Sequence, residues 1–259
     1  MKNSILTLAL ALCGLSIGHA QAPADGHASA DGIAAAADSA VSPTERNDWL
    51  ASFDAVSVDG DLDIRFVAIS ESEAPHIVYD TKGSYTTKFR FDVRDRELRI
   101  REQSDSRRPD RTSVTVYYNA LHSVSVIGAV ASFDSTVAAD LFDLTLDSDA
   151  SLTVELHVRD LNLTLSGESR ATLAGQVRYL TLFASAGRVD AQELTCMSAR
   201  VNAQSRARVR VDVTERLEAK VSTGASVRYK TAPELLRVTQ NFLSGSVGQI
   251  GSEEDDRRR

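Results

Sequence analysis

The chain has 259 residues, of which 42% are hydrophobic, 25% charged and 6% aromatic, so it can bury a sizeable core and is too apolar to be disordered throughout. Lys and Arg number 29 against 36 Asp and Glu, and the net charge of −7 excludes nucleic-acid binding by bulk charge. With so few aromatic residues, Val, Leu and Ala must fill the core.

Met1 and Lys2 supply a positive start, Ile5 to Ile17 form a short apolar run, and His19-Ala20-Gln21-Ala22 offers small residues for cleavage after Ala20 or Ala22. This pattern predicts an export signal over residues 1–22, too short to span a bilayer as a helix. A lipoprotein signal on Cys13 is disfavoured by Leu12, which stands where a small residue is wanted. No later segment is long and apolar enough to cross a membrane, so the mature protein is expected to be exported, to the periplasm or the cell surface. Removing residues 1–22 takes away one lysine and no acid, so the charge moves from −7 to −8. It also leaves Cys196 alone, without a partner for an internal disulfide or a Cys-based metal cluster. Cys196 lies in the apolar stretch Leu194-Thr195-Cys196-Met197 and is expected to be buried as a small apolar residue.

Residues 23–48 alternate Ala, Asp, Gly and Ser without an amphipathic period and are expected to form a tether. The folded part is expected to span residues 49–251, opening at Trp49 and Leu50, with Ser252 to Arg259 as a charged tail. Over residues 53–120, Val56-Ser57-Val58, Leu62-Asp63-Ile64, Phe89-Arg90-Phe91-Asp92-Val93, Leu98-Arg99-Ile100 and Val114-Thr115-Val116 alternate in the manner of strands. They are read either as broader first coils or as antiparallel strands capping a repeat.

From residue 124 an internal repeat dominates. Val124-Ser125-Val126, Leu144-Thr145-Leu146, Leu163-Thr164-Leu165, Leu182-Phe183-Ala184, Val201-Asn202-Ala203, Ala219-Lys220-Val221 and Val238-Thr239-Gln240 are seven similar segments whose last residues are spaced by 20, 19, 19, 19, 18 and 19. Small polar turns such as Ser166-Gly167-Glu168-Ser169 follow the markers, and then a second apolar segment such as Val209-Arg210-Val211. Alternation at period two points to strands, whereas a helix needs apolar steps of three and four. About 19 residues is too short for a propeller blade of roughly 40 and fits one coil of a β-solenoid. The prediction is therefore an all-β, single-stranded β-helix, whose seven coils would rise on the order of 34 Å. Stacked Val, Leu, Ile and Ala inside such coils account for the low aromatic content.

The segments Phe53-Asp54-Ala55-Val56-Ser57-Val58-Asp59-Gly60, Val114-Thr115-Val116-Tyr117-Tyr118-Asn119-Ala120-Leu121, Val189-Asp190-Ala191-Gln192-Glu193-Leu194 and Val227-Arg228-Tyr229 before Pro233, with the Ser-Gly-Ala-Ser type turns between them, resemble the head GIN domain family of auto-transporter adhesin heads over roughly residues 53–250. The resemblance implies a right-handed β-helix similar to the pectin lyase fold without its catalytic residues, an adhesive role and trimeric association. The chain shows no C-terminal run of membrane-barrel strands, so a periplasmic location is expected at least as much as a surface one.

No GxSxG, HExxH or phosphate-binding glycine loop is present, and no enzyme activity, cofactor or metal is expected. His76, His122 and His157 are isolated from one another in sequence and are read as solvated or strand-face residues. Asp59-Gly60-Asp61-Leu62-Asp63 resembles a calcium loop but lacks the downstream bidentate acid, and is read as a polar turn, as is Asp147-Ser148-Asp149. Arg170, Arg188, Arg206 and Arg208 fall a few residues after successive markers, with Arg228 slightly further along. In a solenoid such positions stack, forming a stripe able to hold an anionic polysaccharide or lipopolysaccharide. The competing expectation is a solvated face whose arginines pair with Glu168, Glu193 and Glu218. The leading functional expectation is an adhesion or envelope-interaction module contacting a glycan or protein. The alternative is a carbohydrate-binding or lyase-like protein acting on an anionic glycan.

Overall fold

The computed structural model of the chain describes residues 44–82, 88–103, 110–240 and 244–251. All belong to the unit Val41–Arg259. The expected signal over residues 1–22, most of the expected tether and the tail over residues 252–259 lie outside the described residues. Those described contain strands and turns and no helix.

The first strands are β1 (Glu45–Trp49), β2 (Ala55–Asp59), β3 (Leu62–Ala68), β4 (His76–Asp80), β5 (Phe89–Arg94), β6 (Glu97–Glu102) and β7 (Thr112–Tyr118). The repeat follows as β8 (Ser123–Ile127), β9 (Val130–Phe133), β10 (Val137–Asp147), β11 (Ser151–Leu165), β12 (Arg170–Ser185), β13 (Arg188–Gln204), β14 (Arg208–Val221), β15 (Ser226–Tyr229), β16 (Leu235–Gln240) and β17 (Ser246–Gln249). The fold is a β-solenoid of about 6 turns with roughly 19 residues per coil. The seven markers are successive Cα partners: Val126 pairs with Leu146, then Leu165, Ala184, Ala203, Val221 and Gln240. Seven markers bound six turns, which is how the expected seven coils resolve.

Each coil has three faces, and the burial pattern shows why. In β13, Val189 and Ala191 point inward, then Leu194 and Cys196, then Ala199, Val201 and Ala203. Between these groups two consecutive residues face outward, Gln192-Glu193 and Met197-Ser198, and each such slip in the alternation turns a corner. The first face is the stretch after the turn, the second is the short middle, and the third carries the marker. Several turns between coils place two successive residues at positive φ, as in Ser148-Asp149, Ala186-Gly187 and Ser205-Arg206, whereas others use a single glycine, Gly128 or Gly167. One corner needs glycine. Gly175 has φ +105°, and a Cβ there would sit 2.1 Å from the Leu156 carbonyl oxygen on the preceding rung.

The start of the chain is not stacked in sequence order. β2 lies between β6 and β8, and β3 between β7 and β9, all in parallel register. The segment Ala55–Ala68 is therefore a rung inserted between two that follow it in the chain. Antiparallel strands finish this end: β5 runs along β6, β4 along β7, and β1 along β4. Residues 53–120 thus combine antiparallel capping strands with a coil inserted out of chain order, where the sequence suggested either broader first coils or a cap. β1 begins at Glu45, inside the stretch expected as tether, because Thr44 and the strand after it are held by Asp80. The Asp80 carboxylate accepts hydrogen bonds from the Thr44 hydroxyl (2.6 Å) and the Lys82 N–H (2.8 Å), and Lys82 Nζ lies 3.1 Å from its second oxygen.

Replacing Gly175 by Ala is expected to lower the urea midpoint by the equivalent of about 2–3 kcal/mol, since strain and a backbone clash combine. Gly128→Ala, also at positive φ but with its nearest neighbour at 3.6 Å, should cost only about 1 kcal/mol. The Thr44 hydroxyl, aided by Lys82, holds the Asp80 carboxyl at about 2, below its usual 3.8. A carboxyl depressed on folding stabilises fully above its unfolded pKa, and that contribution fades as pH falls from about 4 through about 2. Trp49 is the only tryptophan and lies in β1. Its fluorescence anisotropy should therefore drop over that pH window, and in Asp80→Asn it should already be low at neutral pH and change little with acid.

Candidate glycan-binding wall

Three of the stripe arginines form one row. Arg170, Arg188 and Arg208 are successive Cα partners on the first face, each opening its strand directly after a turn. Neighbouring rungs are about 4.8 Å apart. Arg206 joins them from the turn before β14, at φ 65°. All four are exposed and, with Glu168, Ala186, Gly187 and Ser205, line a cleft of about 440 Å³. Like charges directly opposite in a sheet are destabilising unless something neutralises them. The acids expected to do so are used otherwise. Glu193 holds Lys230 at 3.1 Å, and Glu218 is bound by Arg216 and Arg200, whose hydrogen bonds draw its carboxyl below the usual range. Glu168 lines the cleft without an ion pair to any of the four, and their guanidinium groups have no ion pair or hydrogen bond among the described residues.

Arg228 is not part of the row. The coil from Arg208 is 18 residues long, so Ser226 takes the next ladder place and is followed by Ser246. Arg228 falls two residues later, in register with Arg210, and is 6% exposed. The stripe therefore consists of Arg170, Arg188, Arg206 and Arg208.

A second concavity of about 600 Å³ runs along the second face. His157, Gln176 and Thr195 are successive Cα partners that line it, beside Arg178, Met197 and Thr214. Asp140 is the only acid among its lining residues and is held by Arg159, which also binds Asp160. The sequence reading missed this groove, although His157, Gln176, Thr195 and Thr214 recur at intervals of 19. The other described histidines are elsewhere: His76 stacks on Tyr117, and His122 Nε2 lies 3.6 Å from Asp54. Asp61 and Asp63 of the calcium-like segment both bind Arg111, at 2.7 and 3.3 Å, and Asp147 accepts a hydrogen bond from the Ser148 N–H within its own turn. Among the described residues no three His, Cys, Asp or Glu side chains are grouped to hold a metal ion.

Residues 52–233 match the family model described as "Putative auto-transporter adhesin, head GIN domain". The chain belongs to the head GIN domain family. Among solved structures, a "putative adhesin" from Bacteroides fragilis is similar, with a TM-score of 0.73 at 16% identity, covering 80% of this chain and 96% of that one. A "putative adhesin" from Parabacteroides merdae gives 0.61 at 18% identity over 80% and 95% of the two chains. A "putative lipid binding protein" from Parabacteroides distasonis gives 0.60 at 16% over 80% and 96%. At these identities the likeness is one of fold. No curated protein matches the chain.

The four arginines and the groove residues all lie within the stretch that matches the head GIN domain, whereas β1 precedes it and β16 and β17 follow it. Inside the domain Cys196 is fully buried, its Sγ 3.6 Å from the Leu194 carbonyl oxygen. Burial, with a smaller push from Asp212, raises its thiol to about 12. A thiol so protonated is a packing group and no nucleophile.

Proposed function

We propose that this protein is an exported, non-enzymatic adhesion or envelope-interaction module that grips an anionic glycan with the first face of its solenoid. The row Arg170–Arg188–Arg208, with Arg206 beside it, carries this reading. Guanidinium forks donate paired, charge-assisted hydrogen bonds to sulfate, phosphate or carboxylate groups, and a row at rung spacing meets a ligand whose anions repeat along a chain. The molecule carries a net charge of −7, so the row is a local basic feature on an acidic chain. Membership of the head GIN domain family and the adhesin descriptions of its structural neighbours agree with such a role. So does the signal-like N-terminus, and no helix among the described residues is long and apolar enough to cross a membrane.

Immobilised heparin and lipopolysaccharide are expected to retain the protein at low salt. Arg188→Ala with Arg208→Ala should weaken retention at least tenfold and lower the salt-dependence slope by about 1 per arginine. Folding stability should stay level or rise, by at most about 1 kcal/mol, since a like-charge pair is removed. Unaltered retention in the double variant would refute the arginine row as the site. In the native cell, fractionation combined with surface proteolysis is expected to recover the protein outside the cytoplasm; recovery with cytoplasmic markers would refute export.

A further inference from the structure

The arginine row runs toward the last coils of the solenoid. Its ladder continues from Arg208 through Ser226 to Ser246, so two small residues follow the arginines on that line. Gly224 stands in the turn beside them, where a Cβ would lie 3.3 Å from Arg206 Cγ. β17 is the last described strand of this face, and Ile250 and Gly251 then turn the chain off the strand, Gly251 at φ +80°. The sequence after that turn is Ser252-Glu253-Glu254-Asp255-Asp256-Arg257-Arg258-Arg259, four consecutive acids ahead of three arginines.

Those acids are within reach of the row. Arg208 lies two rungs from Ser246, and Gln249 lies three residues beyond Ser246 along the strand. At about 4.8 Å per rung and about 3.3 Å per residue, Arg208 is about 14 Å from Gln249 and Arg170 about 22 Å. Glu253 to Asp256 are four to seven residues past Gln249, and an extended chain covers about 13 to 23 Å over that length. The direct path from Gln249 to Arg208 passes Arg228, whose Cα partners are Arg210 and Gly248. Arg228 faces outward, since Val227 before it is turned inward and fully buried, yet it is 6% exposed. Chain therefore lies over the outer side of this face on that path. Beyond it, four guanidinium groups at rung spacing repel one another and have no anionic partner among the described residues.

We propose that Glu253, Glu254, Asp255 and Asp256 fold back onto Arg188, Arg206 and Arg208 and occupy the cleft until a polyanion displaces them. The inference rests on the reading of the row as a polyanion site and gives that site its regulator. A carboxylate takes a guanidinium fork with the same paired hydrogen bonds as an acidic group of a glycan. Each exposed pair is weak, but a link of a few residues keeps the acids at about millimolar local concentration. The tail thus competes as a tethered ligand, and the apparent affinity for any outside anion falls by the fraction of time the cleft is open. A single small anion gains one arginine and does not displace it. A chain with anions repeated near rung spacing meets several arginines at once and does. The device therefore selects for charge density. Four acids and three arginines give the tail a net charge of only −1, so its influence comes from contact rather than from the field of the whole molecule.

The test uses the full chain with Cys13→Ser, since the buried Cys196 thiol is unreactive. Neutralising the tail with Glu253→Gln, Glu254→Gln, Asp255→Asn and Asp256→Asn should tighten heparin binding by about three- to tenfold. Contact is read separately by pairing Glu254→Cys with Ser205→Cys in the cleft, or with Lys220→Cys, which is exposed on the third face of the same coil. Under mild oxidation in dilute solution the disulfide to position 205 should form about fivefold faster or more. Arg188→Ala with Arg208→Ala should remove that preference. Equal rates at the two positions overturn the clasp, as does a preference that survives loss of the arginines. Tighter heparin binding without preferential bridging is an effect of bulk charge and also overturns it. Preferential bridging with heparin affinity unchanged in the neutralised tail overturns the regulatory role. If heparin retention is indifferent to Arg188→Ala/Arg208→Ala, the glycan reading itself fails, and the bridging rates alone decide whether the tail sits on the arginines.

Discussion

Every feature of this molecule depends on in-register parallel stacking of one coil upon the next. Each rung hydrogen-bonds to its neighbours through the backbone, and its inward residues land on their counterparts, so that Leu146, Leu165, Ala184, Ala203 and Val221 form one continuous column. A slip of one residue would turn this column outward and put charged side chains inside. Aliphatic side chains make up most of the interior, with Phe66 and Phe142 fully buried among them. Deviations are absorbed at corners and turns, as where β13 carries three residues more than β14 between the pairs Ala191–Val211 and Thr195–Asp212.

Stacking that orders the inside also orders the outside. A residue type recurring at coil period becomes a row with spacing near 4.8 Å, and its chemistry is multiplied rather than diluted. The wall thereby acquires a basic row on the first face and a polar groove on the second. On the third face Glu218 is bound by Arg200 and Arg216, and Asp143 accepts a hydrogen bond from the Asn162 amide. Four arginines on the first face are left with free hydrogen-bonding capacity.

The two ends differ. At the start, the rung Ala55–Ala68 is held on both sides by later segments, and β1, β4 and β5 add an antiparallel border. Its contacts are long-range, which makes this end slow to assemble and hard to fray once formed. At the finish, β16 pairs with β14 among the described residues, and Leu236 and Val238, in register with buried Leu217 and Ala219, are exposed.

The repeat was legible because period-two alternation and a period near 19 are local properties, and the same arithmetic located Arg170, Arg188, Arg206 and Arg208. It misplaced Arg228 because an 18-residue coil shifts the row by two positions onto Ser226. It would have found the groove had positions 157, 176, 195 and 214 been aligned as the arginines were. The aromatic row was beyond it. Trp49, His76 and Tyr117 are 27 and 41 residues apart, a spacing with no period, and they meet through antiparallel pairings that no local pattern encodes. The sequence alone determined the solenoid and the chemistry of its regular wall, since both follow from side-chain alternation along one strand path. Only the tertiary structure decided the order of the first rungs, the burial of Arg228 and the convergence of the rings, because those depend on which distant strands share a sheet edge.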